Sequence, residues 1–103
     1  MVDNGWKGEE NIMKRNLIRI NNADNVAVTL VDIAREENLV LDGAQVFAAV
    51  DAIPYSHKVA LIDFSPGDHI IKYGEIIGKA NQNIKKGQWI HTHNLGIGGV
   101  VLG

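Results

Sequence analysis

An all-β domain is what this sequence predicts, on three observations. Apolar residues fall in short runs rich in Val and Ile, turn residues separate those runs, and only the stretch 32–38 has room for a short helix. Many short strands with irregular connections make a compact barrel or clip, not an α/β domain with crossover helices.

The first fifteen residues are polar, show no sustained period and end in Met13-Lys14-Arg15, so 1–15 reads as a flexible leader in which Met13 offers an alternative start. The domain proper is expected over 16–94, with 95–103 as a C-terminal tail. Strands are expected at 17–20, 26–31, 39–41, 45–50, 58–62, 69–73, 76–79 and 88–91. Turn signals punctuate them at Asp24-Asn25, Asp42-Gly43, Pro54, Ser65-Pro66-Gly67-Asp68, Gly74 and Lys85-Lys86-Gly87.

One pattern recurs. Phe64-Ser-Pro-Gly67-Asp-His-Ile70 and Ile84-Lys-Lys-Gly87-Gln-Trp-Ile90 each place a glycine three residues after an apolar anchor and Ile three further on. Glycine supplies positive φ for a tight turn, and the apolar residues pin that turn to the core. Ile33-Ala-Arg-Glu36-Glu-Asn-Leu39 is a weaker third copy with glutamate in the glycine position.

Composition excludes several function classes. Ten basic and 12 acidic residues give a formal charge of -2 without the basic stripe that phosphate backbones require, so nucleic acid is not an expected partner. No apolar run approaches the ~20 residues needed to span a bilayer, and no signal peptide opens the chain, so a cytoplasmic protein without membrane attachment is expected. The absence of cysteine rules out disulfides, thiolate catalysis and cysteine-ligated metals in this chain. Any metal must be held by His, carboxylate or carbonyl groups.

Polar groups interrupt the apolar pattern at Ser56-His57-Lys58, His69, Lys72-Tyr73-Gly74 and His91-Thr92-His93-Asn94. On an extended strand His91 and His93, two residues apart, project to one face and suit a shared metal or anion. Lys72 can grip a carboxylate or guard a strand edge, and Ser56-His57-Lys58 reads equally as a loop with a solvated lysine. His69 reads as a surface residue, and Trp89 as core or interface.

Asp24-Asn25-Val26-Ala27-Val28, His57-Lys58-Val59-Ala60-Leu61, Ile71-Lys72-Tyr73-Gly74-Glu75-Ile76-Ile77-Gly78 and His91-Thr92-His93-Asn94 together resemble, in order over about 16–94, the SAF module of the altronate/galactarate dehydratase family. The resemblance implies a β-clip fold, shared with modules of sialic acid synthases and type III antifreeze proteins. It implies a hydro-lyase that converts a sugar acid such as altronate to a 2-keto-3-deoxy acid, using a divalent metal, iron or manganese. It also implies a separate large catalytic dehydratase subunit as partner, with a homo-oligomer as a further possibility. The sibling sulfolactate sulfo-lyase, which carries this module as a small subunit, is the alternative, as is a sugar-acid binding module without catalysis. Carried onto this chain, the resemblance implies His91 and His93 as catalytic or metal residues. It implies His57, Lys58, Lys72, Tyr73 and Asn94 as substrate-binding residues.

Overall fold

A computed structural model of the chain describes residues 14–97, 100 and 101. The short Val- and Ile-rich runs form strands because β-branched side chains pack on a pleated surface. They are β1 (Leu17–Ile18), β2 (Val26–Thr29), β3 (Asn38–Leu41), β4 (Ala44–Ala48) and β5 (Lys58–Ala60). β6 (His69–Lys72), β7 (Glu75–Ala80), β8 (Trp89–Ile90), β9 (Leu95–Ile97) and β10 (Val100–Val101) follow. The all-β expectation holds.

Among the described residues three small sheets result, ordered β1-β2-β5-β8, β10-β9-β7-β6 and β3-β4, with every neighbouring pair antiparallel. The first sheet divides the core. Ala27 and Val59 face one cluster with Leu17, Ile33, Leu39 and Ile53, against which Trp89 packs. Val26, Ala60 and Ile90 face the other, with Phe64, Ile70 and Ile84. Each fully buried Leu, Ile or Val contributes roughly 1.5–3 kcal/mol, and these short strands depend on that burial because few ladder bonds hold them.

Among the described residues four turns share one plan. They begin at Ile33, Ile53, Phe64 and Ile84 and end six residues later at Leu39, Val59, Ile70 and Ile90, each of these four 0% exposed. The fourth residue of each is left-handed, with φ of 70° at Glu36, 73° at Ser56, 93° at Gly67 and 91° at Gly87. Its N–H donates to a buried neighbour, Ala49, Thr29, Ala80 and Ala60 respectively, at 2.8–3.0 Å. The stretch 32–38, where the sequence leaves room for a short helix, is the first of these turns. Its four-residue charged centre is too short to nucleate a helix and is closed instead by Glu37 N–H to the Ala34 carbonyl at 3.0 Å.

A shift of 31 positions relates the two halves of the chain. It carries the Ile33↔Ile53 bridge onto Phe64↔Ile84 and the β3-β4 hairpin onto β6-β7. It also carries the bulge after Leu39 onto the bulge after Ile70. Both hairpin turns, Asp42-Gly43 and Tyr73-Gly74, have two successive positive φ values, the type I′ geometry that matches strand twist. Each bulge is held by an asparagine. The Asn16 carboxamide accepts from Val40 N–H at 2.8 Å and donates to the Asn38 carbonyl at 3.0 Å. Asn25 does the same to Ile71 N–H and the His69 carbonyl, at 2.8 and 3.0 Å.

The tail expected from residue 95 contributes strand β9, which pairs with β7, and Leu95 joins the second core cluster. Gly78 permits this approach, since a Cβ there would collide with the Gly96 carbonyl oxygen. The leader expected over 1–15 lies, up to residue 13, outside the described residues.

Candidate functional site

The second turn differs from its three relatives at the residues that close it. In the other three the fifth residue caps the second: Glu37 accepts from Ala34 N–H at 2.8 Å, Asp68 from Ser65 N–H at 2.7 Å and Gln88 from Lys85 N–H at 2.6 Å. In the second turn the capped position is Pro54, which has no N–H, and the capping position is His57. The imidazole is therefore released from the turn. The backbone closure is kept, His57 N–H to the Pro54 carbonyl at 3.2 Å, and Thr29, 1% exposed, reinforces it: its hydroxyl donates to the Pro54 carbonyl at 2.8 Å and accepts from His57 N–H at 3.2 Å.

The released ring meets two others, Trp89 and His91, and His93 joins them through Trp89. Trp89 lies at the centre, stacked on His91 at 5.2 Å and 11° and edge-on to His57 at 5.4 Å and to His93 at 5.6 Å. His57 and His91 are 5.3 Å apart. The indole Nε1–H donates to His57 Nδ1 at 3.1 Å. Trp89 is held in turn by its own N–H to Asp51 at 3.0 Å. It also walls an open pocket of about 310 Å³ with Asp32, Ile33, Ala52, Ile53 and Pro54.

His91 and His93 do not lie on an extended strand. β8 ends at Ile90, and 91–94 is a turn in which the fully buried Asn94 carboxamide accepts from His91 N–H at 2.9 Å and donates to the Trp89 carbonyl at 2.8 Å. The alternation argument for this pair thus does not apply, because the Asn94 side chain ends the strand. Asn94 acts inside the protein, orienting both Trp89 and His91.

The lysines sit elsewhere. Side chains alternate along β5, so Lys58 leaves on the side of Ala60, opposite to His57 and Val59. Burial, and then the neighbouring Lys72 ammonium, hold Lys58 below the usual lysine range. Neither is in an ion pair with a carboxylate among the described residues, where Arg19 and Asp42 form a pair at 3.7 Å. Lys72 Nζ lies 4.8 Å from the ring of Tyr73, which is exposed. The seven residues singled out from the sequence thus divide into a histidine cluster with Asn94 beneath it and a lysine pair with Tyr73. His69 is exposed at the start of β6.

Sequence reasoning missed Trp89 as the hub and Thr29 as the support. The signal for Thr29 was a buried hydroxyl within an apolar strand, and for His57 it was Pro54 where a turn needs a donor. Asp24, 4% exposed, belongs to the frame. Its carboxylate accepts from Asn21 N–H at 3.0 Å and Gly74 N–H at 2.8 Å, holding the β6-β7 turn next to Lys72. Burial pushes its pKa up, but the backbone donors of Gly74, Tyr73 and Asn21 and the charge of Arg19 outweigh it, so the net shift is downward.

A divalent metal finds no complete donor set among the described residues of this chain. Among the described residues no three His, Asp or Glu side chains converge on one point.

Residues 15–97 match the family model described as the altronate/galactarate dehydratase SAF domain. The chain is 40% identical over 80 residues to altronate dehydratase of Bacillus subtilis (strain 168), covering 78% of this chain and 16% of that protein. It is also 40% identical to altronate dehydratase of Escherichia coli (strain K12), over 77 residues, 75% of this chain and 15% of that protein. With (2R)-sulfolactate sulfo-lyase subunit alpha of Chromohalobacter salexigens it shares 41% identity over 49 residues, 48% of this chain and 52% of that subunit. The chain therefore spans only a small part of the dehydratases it matches, and it belongs to the altronate/galactarate dehydratase SAF domain family.

Proposed function

We propose that this chain is the small subunit, or an N-terminal module, of a sugar-acid hydro-lyase of the altronate dehydratase type, completed by a large catalytic subunit. The observation that carries the reading is the convergence of His57, His91 and His93 on Trp89, at the one turn of four whose cap has been given up. A rigid group of imidazoles suits contacts to the hydroxyls of a polyhydroxy acid, where one ring can donate a proton to a departing hydroxyl. Lys58 and Lys72, two cations without a carboxylate partner among the described residues, suit the acid's carboxylate. Their opposite side of β5 puts them at a second contact, so the histidine cluster is the primary assignment. Because the described residues hold no donor set that fits a divalent metal, no step here runs through one.

The reaction removes the proton beside the carboxylate and the hydroxyl on the next carbon, leaving an enol that becomes the 2-keto-3-deoxy acid. A module of this size leaves the base for that proton to the large subunit. Tested in the assembled enzyme with altronate, His91→Ala and His93→Ala are each expected to lower turnover by about 10²-fold or more, the typical contribution of a positioned acid or base. Unchanged turnover in both removes the cluster from the site.

A second reading rests on the sulfo-lyase relatives, at 41% and 50% identity over the matched segments. The matched segment covers 52% and 63% of two sulfolactate sulfo-lyase alpha subunits, against 16% or less of the dehydratases. A small subunit of a sulfo-lyase eliminates sulfite in place of water. Parallel assays with altronate and (2R)-sulfolactate decide between them, and activity on neither, with binding of a hydroxy acid by the isolated chain, supports a binding module.

A further inference from the structure

We infer that Trp89 selects, for the neutral form of the His57 ring, the tautomer with its proton on Nε2, making His57 a hydrogen-bond donor to a ligand oxygen and setting it against metal ligation through that atom. Indole nitrogen only donates. Its contact with Nδ1 at 3.1 Å therefore requires a lone pair there, and in a neutral imidazole the proton then sits on Nε2. A metal would need the lone pair of Nε2, which that tautomer does not offer.

The surroundings hold both partners in place. The His57 backbone is pinned by the Thr29 hydroxyl at its N–H, and its carbonyl accepts Thr29 N–H at 2.9 Å. Trp89 is fixed by Asp51 at its N–H, by Asn94 at its carbonyl and by His91 stacked on its face. The cap vacated at Pro54 is what lets the ring turn toward the indole. Every other turn of this plan keeps its fifth side chain on its own backbone. Trp89 is thus a positioning residue, acting through His57, and the acceptor it prepares for is a hydroxyl or carboxylate oxygen. The tautomer itself stands or falls independently of the lyase reading.

The test is a two-bond proton–nitrogen correlation spectrum of the isotope-labelled full chain at mildly alkaline pH, where each ring reports its tautomer. His57 is expected as the pure Nε2–H form, while the exposed His69 shows a mixture. In Trp89→Phe the His57 pattern is expected to collapse toward that of His69. A His57 that is Nδ1–H or mixed in the wild type overturns the inference, as does a tautomer unchanged in Trp89→Phe. Should that variant not fold, a scalar coupling across the hydrogen bond from Trp89 Nε1 to His57 Nδ1 in the wild type decides, and its absence counts against the pair. Added Zn²⁺ is expected to leave the His57 Nε2 proton in place. Its replacement by metal, with the Nε2 resonance moving to the metal-bound position, overturns the exclusion.

Discussion

The turns at 53–59 and 84–90 occupy equivalent places in the two halves of the molecule, yet one caps itself and the other gathers a site. Both start from an isoleucine 1% exposed, both turn through positive φ, and both dock on the sheet neighbour of the strand they lead into, at Thr29 of β2 and at Ala60 of β5. Gln88 closes the later turn onto Lys85 N–H. In the earlier one proline removes that donor, His57 is freed, and Thr29 has a hydroxyl where its counterpart Ala60 has none. The difference teaches that a side chain can be freed from a capping role by deleting a single N–H, provided a buried hydroxyl elsewhere supports the backbone.

If the two turns share a frame, the anchors should matter equally. Ile53→Ala and Ile84→Ala are each expected to cost about 2–5 kcal/mol in urea unfolding, since each leaves a cavity in a closed cluster. A cost confined to one of them would break the equivalence. Thr29→Ala, which deprives the Pro54 carbonyl and His57 N–H of a buried partner, is expected to cost about 1–3 kcal/mol. Gln88→Ala, which uncaps an exposed Lys85 N–H, should cost less, ~1 kcal/mol at most, because water replaces the lost acceptor.

The halves differ also in how their hairpins are held, and pH separates them. Asn16 holds the first bulge with a neutral amide, whereas the second hairpin depends on Asn25 and on the ionised Asp24. The Asp24 carboxyl titrates lower in the folded protein than in the unfolded chain, so its stabilisation is fully present above the ordinary carboxylate pKa near 3.8 and is lost as pH falls through the lower folded value. Amide exchange in β6-β7 is expected to accelerate below that pH before β3-β4 does. Asp24→Asn should abolish the lag between the two hairpins, and equal acid sensitivity in the wild type would contradict the assignment.

What could be read in the sequence followed the residues whose chemistry is local. The glycine turns at Gly67 and Gly87 were legible because glycine marks positive φ; at Gly87 a Cβ would also come within 2.6 Å of the Ala48 carbonyl. The same turn at 53–59 was hidden, since Ser56 adopts a φ of 73° without glycine's signature. Glu36 half-concealed the first copy, and its charged run suggested a helix. The His91-Thr92-His93 pattern led to the cluster of rings, but the strand alternation behind it does not hold. Asn94 ends the strand, and Trp89, separated from His57 by 32 positions, gathers the rings. Long-range contacts of this kind leave no spacing in the chain to be read.

The smallest effect is also the sharpest use of the comparison. Pro54→Ser with His57→Asp rewrites the second turn with the residues of the third, where Asp68 accepts from Ser65 N–H at 2.7 Å. Serine restores the donor and aspartate the acceptor, and Thr29 keeps its contacts with the backbone. Stability should rise by up to ~1 kcal/mol, the net worth of one such bond, offset in part by the greater freedom of the unfolded chain without proline. The assembled enzyme should at the same time lose the contribution of His57. A folded double variant with reduced turnover would show that the second turn gave up a cap for its imidazole. A variant destabilised by several kcal/mol would instead mean that Pro54 and His57 carry packing that the shared hydrogen-bond plan does not contain.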